Sequence, residues 1–356
     1  MFNFYTWHNV VCILRINLKE STMLILGIES SCDETGLALY SEGEGLIAHM
    51  VNSQVELFTE YGGVIPEIAA RDHSVKIINI LKSLLKKADK KLNDINLVAY
   101  TAGPGLIGSL MVGETVAKTI SNVLDIELLP INHLEGHILA PGLEDDNLET
   151  PYLCLLVSGG HTQIIECSDY GSYKILGETV DDACGEAFDK VGKLLNLDYP
   201  DGPKVSKLAA GGDPARFNFP RALMKDRNLN FSFSGLKTAV LYALEDLEEK
   251  DYPDVAASFQ EAVVDVLVKK LAYAIEQTGI KKLVCSGGVA ANSLLRERLT
   301  DMGKTSELEV SYPKMEFCTD NAAMIAYAGF IRKKYNLKEY PTKFARPRWP
   351  LGELYD

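Results

Sequence analysis

GIESSCDETG (residues 27–36) and LVSGGHT (residues 156–162) are two hairpins of one kind. Each reads as an apolar strand, a tight turn of Gly, Ser, Asp or Thr, and a second strand. Such turns present backbone N–H groups and hydroxyls that suit phosphate or carboxylate oxygens. Facing each other, two of them would form a cleft that grips the phosphates of a nucleotide. Between them in the chain lie His133 and His137. At i and i+4 they have the spacing for two ligands to one metal from a single helix face.

Working outward, periodicity predicts strands at 24–29, 35–40 and 45–51, a helix over 73–90, a strand at 97–101, a helix over 109–124 and a strand at 126–131 leading into the histidine helix. The second half repeats the order. Strands are predicted at 152–157, 162–166 and 173–178, then helices that include 255–278, a strand at 282–285, an SGG turn and a helix over 289–300. No residue-level repeat is visible, so the duplication is one of element order. It predicts two α/β lobes of related topology around a cleft. The expected division is an N-terminal extension at 1–22, a first lobe at 23–135, a second lobe at 136–345 with an insertion near 179–254, and a tail at 346–356. Met23 directly precedes the first strand, so residues 1–22 are expected to be an upstream start or a loose arm, with Tyr5 and Trp7 offering a docking role.

At 356 residues, 47% hydrophobic and 24% charged, the chain has an ordinary globular composition, long enough for about two domains. Seven scattered cysteines with no CxxC argue for a reducing compartment, hence the cytoplasm, and against a disulfide framework or a cysteine-ligated zinc. No apolar run reaches the length of a membrane span, and residues 1–22 lack the pattern of a signal peptide. The net charge of −13 speaks against broad nucleic-acid binding. The basic clusters at 82–91, 221–227 and 332–348 read as solvated helix faces or tails, so any nucleic acid would be held by a local patch or a partner.

Several motifs carry chemistry. AGPGLIG contains GxGxxG at Gly103, Gly105 and Gly108, but after a hairpin and off the first strand. A tight turn with close helix–sheet packing explains it better than a dinucleotide site. No GxxxxGK[ST] is present, which excludes a P-loop. HLEGH places Glu135 two residues after His133, on the wrong side for a zincin base, so a metalloprotease is disfavoured. Two histidines leave a metal incomplete. Asp320, in FCTDNAAM, is either that third ligand or a helix N-cap. His161 is a third ligand, a phosphate donor or a satisfied structural histidine. SGGH (158–161) and SGGVAAN (286–292) share a turn that lets a ligand approach the backbone closely, and the second is expected to open a helix facing a phosphate or nucleoside. Asp33 and Asp189 are caps or functional acids. Asp33, on the first phosphate-type turn, is the candidate for proton handling.

These strings occur together with YGGVIPEIAARDH, DDACGEAFDKVGKLLNLDYPDGP, FSFSGLKTA and the terminal ARPRWPL. In that order, from Met23 almost to the end, they resemble the Kae1/TsaD family. The resemblance implies the duplicated two-lobe α/β fold of actin, Hsp70 and the sugar kinases, with a nucleotide cleft between the lobes. It implies transfer of a threonylcarbamoyl group from threonylcarbamoyl-AMP to N6 of the adenosine 3′ of the anticodon in tRNAs that read ANN codons. It further implies metal ligation by His133, His137 and Asp320, with one divalent ion per subunit, Fe(II) favoured and Zn an alternative. The adenylate would lie against Leu156, Val157, Ser158, Gly159, Gly160, Asp189, Gly202 and Asn292. Bacterial relatives work with TsaB and TsaE, and TsaC makes the adenylate. The family commonly has Gly where Ala322 stands, which should matter only if φ there is positive. A competing expectation is an ATP-dependent phosphotransferase or ATPase of the same superfold.

Overall fold

The structure, a computed structural model, describes residues 23–144, 148–197, 201–225, 227–341 and 343–355. The expectations for residues 1–22 lie outside the described residues. The first lobe runs β1 (Leu24–Glu29), β2 (Glu34–Ser41), β3 (Gly45–Ser53), α1 (Val55–Phe58), α2 (Pro66–Lys87), β4 (Leu97–Gly103), α3 (Ile107–Leu124), β5 (Glu127–Asn132) and α4 (His133–Leu139). The second runs β6 (Tyr152–Val157), β7 (Thr162–Asp169), β8 (Ser172–Glu178), α5 (Cys184–Leu194), α6 (Asp201–Ala209), α7 (Ser234–Leu244), α8 (Tyr252–Thr278), β9 (Lys282–Ser286), α9 (Ser293–Ser306), β10 (Glu309–Ser311) and α10 (Ala322–Lys334).

The first sheet has the order β3-β2-β1-β4-β5, and the second, read in the same sense, β8-β7-β6-β9-β10. In both, the first strand pairs antiparallel with its hairpin partner and parallel with the strand that follows the helical crossover. The duplication predicted from element order therefore holds strand by strand. β1 and β6 are buried along their whole length, as central strands covered on both faces must be. In such α/β sheets ligands gather beyond the carboxyl ends of the parallel strands. Here those ends carry the Ser30–Asp33 turn after β1, the glycine turns after β4, β6 and β9 and, after β5, the histidine helix.

Helix boundaries moved most. α2 begins at Pro66, earlier than the apolar period at 73–90 suggests, because proline at the first helical position starts the helix. Its core-facing stripe is Ala69, His73, Ile77, Leu81 and Leu84. The helix expected over 289–300 starts later. A 3-10 turn at Gly288–Ala291 comes first, and α9 is capped by Asn292, whose side chain accepts from Leu295 N at 3.0 Å. The SGG turn thus does not open that helix directly.

α10, near the end of the chain, packs on β1, β2 and β4 of the first sheet and on α4. Gly27 makes this close approach possible: a β-carbon there would sit 2.8 Å from that of Ala326. Ala322 has no positive φ, so the family's usual glycine is not required here. One core cluster joins the lobes, with Leu26, Val98 and Tyr100 packed with Tyr152, Cys154 and Leu156. The final segment returns to the first lobe, where Trp349 is buried and its carbonyl accepts from Asn132 Nδ2 at 3.0 Å. Among the described residues the cysteines are free, and no helix is long and apolar enough to cross a membrane.

Candidate active site

β5 ends at Asn132, whose side-chain oxygen accepts from Leu134 N and Glu135 N and so caps α4. That cap starts the helix at His133 and sets His133 and His137 on one face. Asp320 arrives from the turn before α10. Its neighbour Asn321 caps α10, accepting from Met324 N at 3.0 Å. The N-cap reading of Asp320 is thereby settled in favour of Asn321, and the Asp320 carboxylate is left to the histidines. Its Oδ1 lies 3.0 Å from His137 Nε2 and 3.3 Å from His133 Nε2. One ligand atom from each of the three residues falls within 4.8 Å of the others.

Glu29, which sequence reading passed over, completes the arrangement. Fully buried at the end of β1, it accepts from His133 Nδ1 at 3.0 Å, Thr101 Oγ1 at 2.6 Å and Ser31 N at 2.5 Å. A carboxylate behind a histidine fixes the tautomer and aims the other ring nitrogen outward. The available signal was an acid ending an otherwise apolar buried strand, which needs a partner. Burial opposes charge on His133, yet the carboxylates of Asp320 and Glu29 outweigh it and hold its pKa well above the usual imidazole range. Burial likewise opposes charge on Asp320, but His133 and then His137 hold its carboxyl well below the usual range.

The donor set fits a divalent metal. Two imidazoles and a carboxylate converge, and His137 Nδ1 is buried without a hydrogen-bond partner. The set suits Fe(II) and Zn alike. Glu135 points away, as expected. It is fully buried against Arg332, which donates to its two oxygens at 3.0 and 3.2 Å, so it cannot serve as a protease base. This also corrects the solvated reading of the 332–348 cluster for Arg332, which is buried.

Asp33 sits in the β1–β2 turn, nearly buried. Beside it, burial and the charges of Asp320 and Asp33 hold the Glu34 carboxyl well above the usual range. His73 pins the turn to α2, with Nε2 3.0 Å from the Cys32 carbonyl and Nδ1 2.6 Å from Thr35 Oγ1. His161 stands outside the three-residue group. Burial, with His133 and His137 nearby, pushes its pKa down to about 4, so it is neutral at neutral pH.

GxGxxG proves to be a packing motif. A β-carbon on Gly105 would lie 2.6 Å from the Ser31 carbonyl, and one on Gly103 would strike the Arg346 carbonyl. The chain itself fills the space a dinucleotide would need.

The second lobe gathers its expected residues at one rim. Ser158 and His161 close the turn after β6 by backbone and hydroxyl bonds. Gly159 and Gly160 are exposed, with open space where side chains would project. Gly185 N donates to the Ser158 carbonyl at 3.2 Å, seating α5 on that turn. Asp189 accepts from Gly202 N at 3.3 Å. Asn292 Nδ2 donates to Ser206 Oγ on α6 and to Gln260 Oε1 on α8. Leu156 and Val157 are buried strand residues beneath the turn.

Burial, with Asp201 nearby, pushes the Asp189 pKa up to about 6 from an ordinary 3.8. The folded chain therefore holds that proton more tightly than the unfolded chain. The stability so gained is present below about pH 4 and is lost as pH rises through about 6. Asp189→Asn, which cannot ionise, should remove about 3 kcal/mol of that fall, measured by urea unfolding across the range. An unchanged slope would contradict the assignment.

Two lobes of duplicated topology, each with its candidate residues at the carboxyl ends of its parallel strands, give the two-lobe α/β fold expected from the resemblance to actin, Hsp70 and the sugar kinases. Solved structures of the same fold include full-length HypF in its phosphate- and nucleotide-bound form (14% identity, TM-score 0.58, covering 89% of this chain and 47% of that one). T. kodakarensis HypF matches at 15% identity and a TM-score of 0.62, over 89% of this chain and 48% of that one. Component A of the Acidaminococcus fermentans (R)-2-hydroxyglutaryl-CoA dehydratase matches at 15% identity and a TM-score of 0.53, over 89% of this chain and 100% of that one. The chain thus spans about half the length of the HypF proteins it matches. Residues 45–327 match the model of the TsaD family, tRNA N6-adenosine threonylcarbamoyltransferase, and the chain belongs to that family.

Proposed function

We propose that this protein transfers the threonylcarbamoyl group from threonylcarbamoyl-AMP to N6 of the adenosine 3′ of the anticodon in ANN-decoding tRNAs. The observation that carries the proposal is the convergence of His133, His137 and Asp320 on one point in a chain of this family. These three residues would hold one divalent ion, with Fe(II) favoured. Such an ion, when bound, supplies Lewis-acid polarisation of a carbonyl or phosphoryl oxygen.

The protein's own groups do the rest. Backbone N–H groups of Gly159 and Gly160 meet the phosphate of the adenylate, with Asp189, Gly202 and Asn292 along the same rim. The exocyclic amine of adenosine is a weak nucleophile, its lone pair delocalised into the ring. As it attacks the acyl carbon, a C–N bond forms and the C–O bond to phosphate breaks. AMP leaves with the electron pair, and Asp33 accepts the amine proton. The donor is already activated, so holding the two reactants together contributes most of the rate. The acidic charge fits a catalytic subunit that holds tRNA with help, and TsaB and TsaE are the proposed partners.

The test is incorporation of labelled threonine into unmodified ANN-decoding tRNA, with bicarbonate, ATP, an adenylate-forming enzyme and the partner proteins. Incorporation should depend on this chain. ATP turnover by the chain alone, with no incorporation, would favour a phosphotransferase of the same superfold instead. Asp33→Asn should lower transfer roughly 100-fold or more, the usual scale for a lost general base, with bound metal unchanged. Full activity in that variant would exclude Asp33 as the proton acceptor.

A further inference from the structure

We infer that residues 343–348, Lys-Phe-Ala-Arg-Pro-Arg, form the surface on which the RNA substrate lies at the mouth of the cleft. The inference rests on the transferase reading above and names the surface that meets its acceptor. Sequence alone reads this stretch as a solvated tail. The structure runs it from the first residues of β5, beside Lys343, past the middle of α3 to the carboxyl ends of β4 and β5, the edge that carries the site. The Lys343 carbonyl accepts from Tyr100 OH at 2.8 Å, Arg346 N donates to the Ala102 carbonyl at 2.6 Å, and the Pro347 carbonyl accepts from Gly105 N at 3.2 Å. Gly105 in turn packs on Ser31, next to the Asp33 turn. Just beyond, the Trp349 carbonyl accepts from Asn132, the cap of the histidine helix.

Among the described arginines, this segment holds the two whose side chains are not taken up by a carboxylate or a carbonyl. Arg71, Arg216, Arg221, Arg227, Arg298 and Arg332 are each paired with a carboxylate. Arg296 is spent on the carbonyls of Ala290 and Pro313. Among the described residues, no carboxylate pairs with the side chains of Lys343, Arg346 or Arg348. Glu114, which touches the segment, is occupied by Lys118 and by Ala345 N, and Glu127, beside Lys343, is paired with Lys333. Phe344 is 67% exposed, with Lys118 Nζ 4.0 Å from its ring centroid. Cations for phosphates beside an exposed ring for an unstacked base are what single-stranded RNA loops require. In a chain of net charge −13, such a patch is where a polyanion can approach.

The experiment measures binding of an unmodified ANN-decoding tRNA to the full chain with its partner proteins, across a salt series, together with transfer. Arg346→Gln/Arg348→Gln should weaken binding about tenfold and reduce the slope of log K against log salt by about 1.5. Phe344→Ala should weaken it roughly tenfold with the slope unchanged. Unfolding temperature and bound metal should stay as in the parent. Parental affinity and slope in the double variant, or no tRNA binding by the parent complex, overturns the surface assignment. Transfer with an unaltered KM for tRNA in the double variant overturns it while leaving the transferase reading intact. Binding through the patch without transfer has the opposite meaning.

Discussion

Replacing Arg332 with methionine should lower the free energy of unfolding by about 3–5 kcal/mol. Methionine fills much of the space but carries no charge. Arg332 is 3% exposed and Glu135 fully buried. The guanidinium donates to both Glu135 oxygens and to Tyr340 OH, and it lies 3.8 Å from the Tyr340 ring centroid. Tyr173 and Tyr340 each donate a hydroxyl to Glu135. Without Arg332 a carboxylate remains in the core with neutral donors alone. Burying an unpaired charge costs several kcal/mol, whereas an apolar pair of similar volume is close to neutral. Arg332→Met combined with Glu135→Leu should therefore recover most of the loss. Urea unfolding of the two variants checks this. A single variant within about 1 kcal/mol of the parent would mean that the pair is not what joins α4 to α10.

That joint matters because α4 carries two of the candidate ligands and the turn before α10 carries the third. Very little of it was legible in the sequence. Most strands are legible to within a few residues, because β1 and β6 are short continuous apolar runs that end at polar or glycine turns, whereas the three-residue edge strand β10 at Glu309–Ser311 leaves no pattern to read. Repeated order then fixed the two-lobe class. Long-range placement left weaker marks. AAMIAYAG in α10 reads as an ordinary apolar helix, and only the paired small residues Gly27 and Ala326 reveal that it lies flat on the first sheet. The trio of His133, His137 and Asp320 was implied by family resemblance, while spacing by itself gave two histidines and an undecided acid. Glu29 was missed because its partner, His133, is 104 residues away. Arg332 was misread for the same reason, since a basic run at a helix end looks solvated until its distant carboxylate is known.

The two histidines should differ when each is removed. His137→Ala should abolish metal retention and lower transfer by on the order of 10³-fold, the scale of several kcal/mol of charge stabilisation. It should leave the fold nearly as stable, because His137 is bonded through Nε2 to Asp320 alone and its Nδ1 is unpartnered. His133→Ala should abolish the same two functions and in addition cost about 3 kcal/mol of stability, since Glu29 then loses its ionic partner inside the core. Adding Glu29→Gln to His133→Ala should return most of that stability and none of the transfer. Metal analysis of dialysed protein, labelled-threonine transfer and urea unfolding read the three quantities separately. Metal-free His137→Ala that still transfers at the parental rate would remove the metal from the reaction. Equal stability of the two alanine variants would remove Glu29 as the residue that orients His133. A site whose second carboxylate only orients the first histidine must lose function in both variants but stability in one, because only His133 has a charged partner behind it.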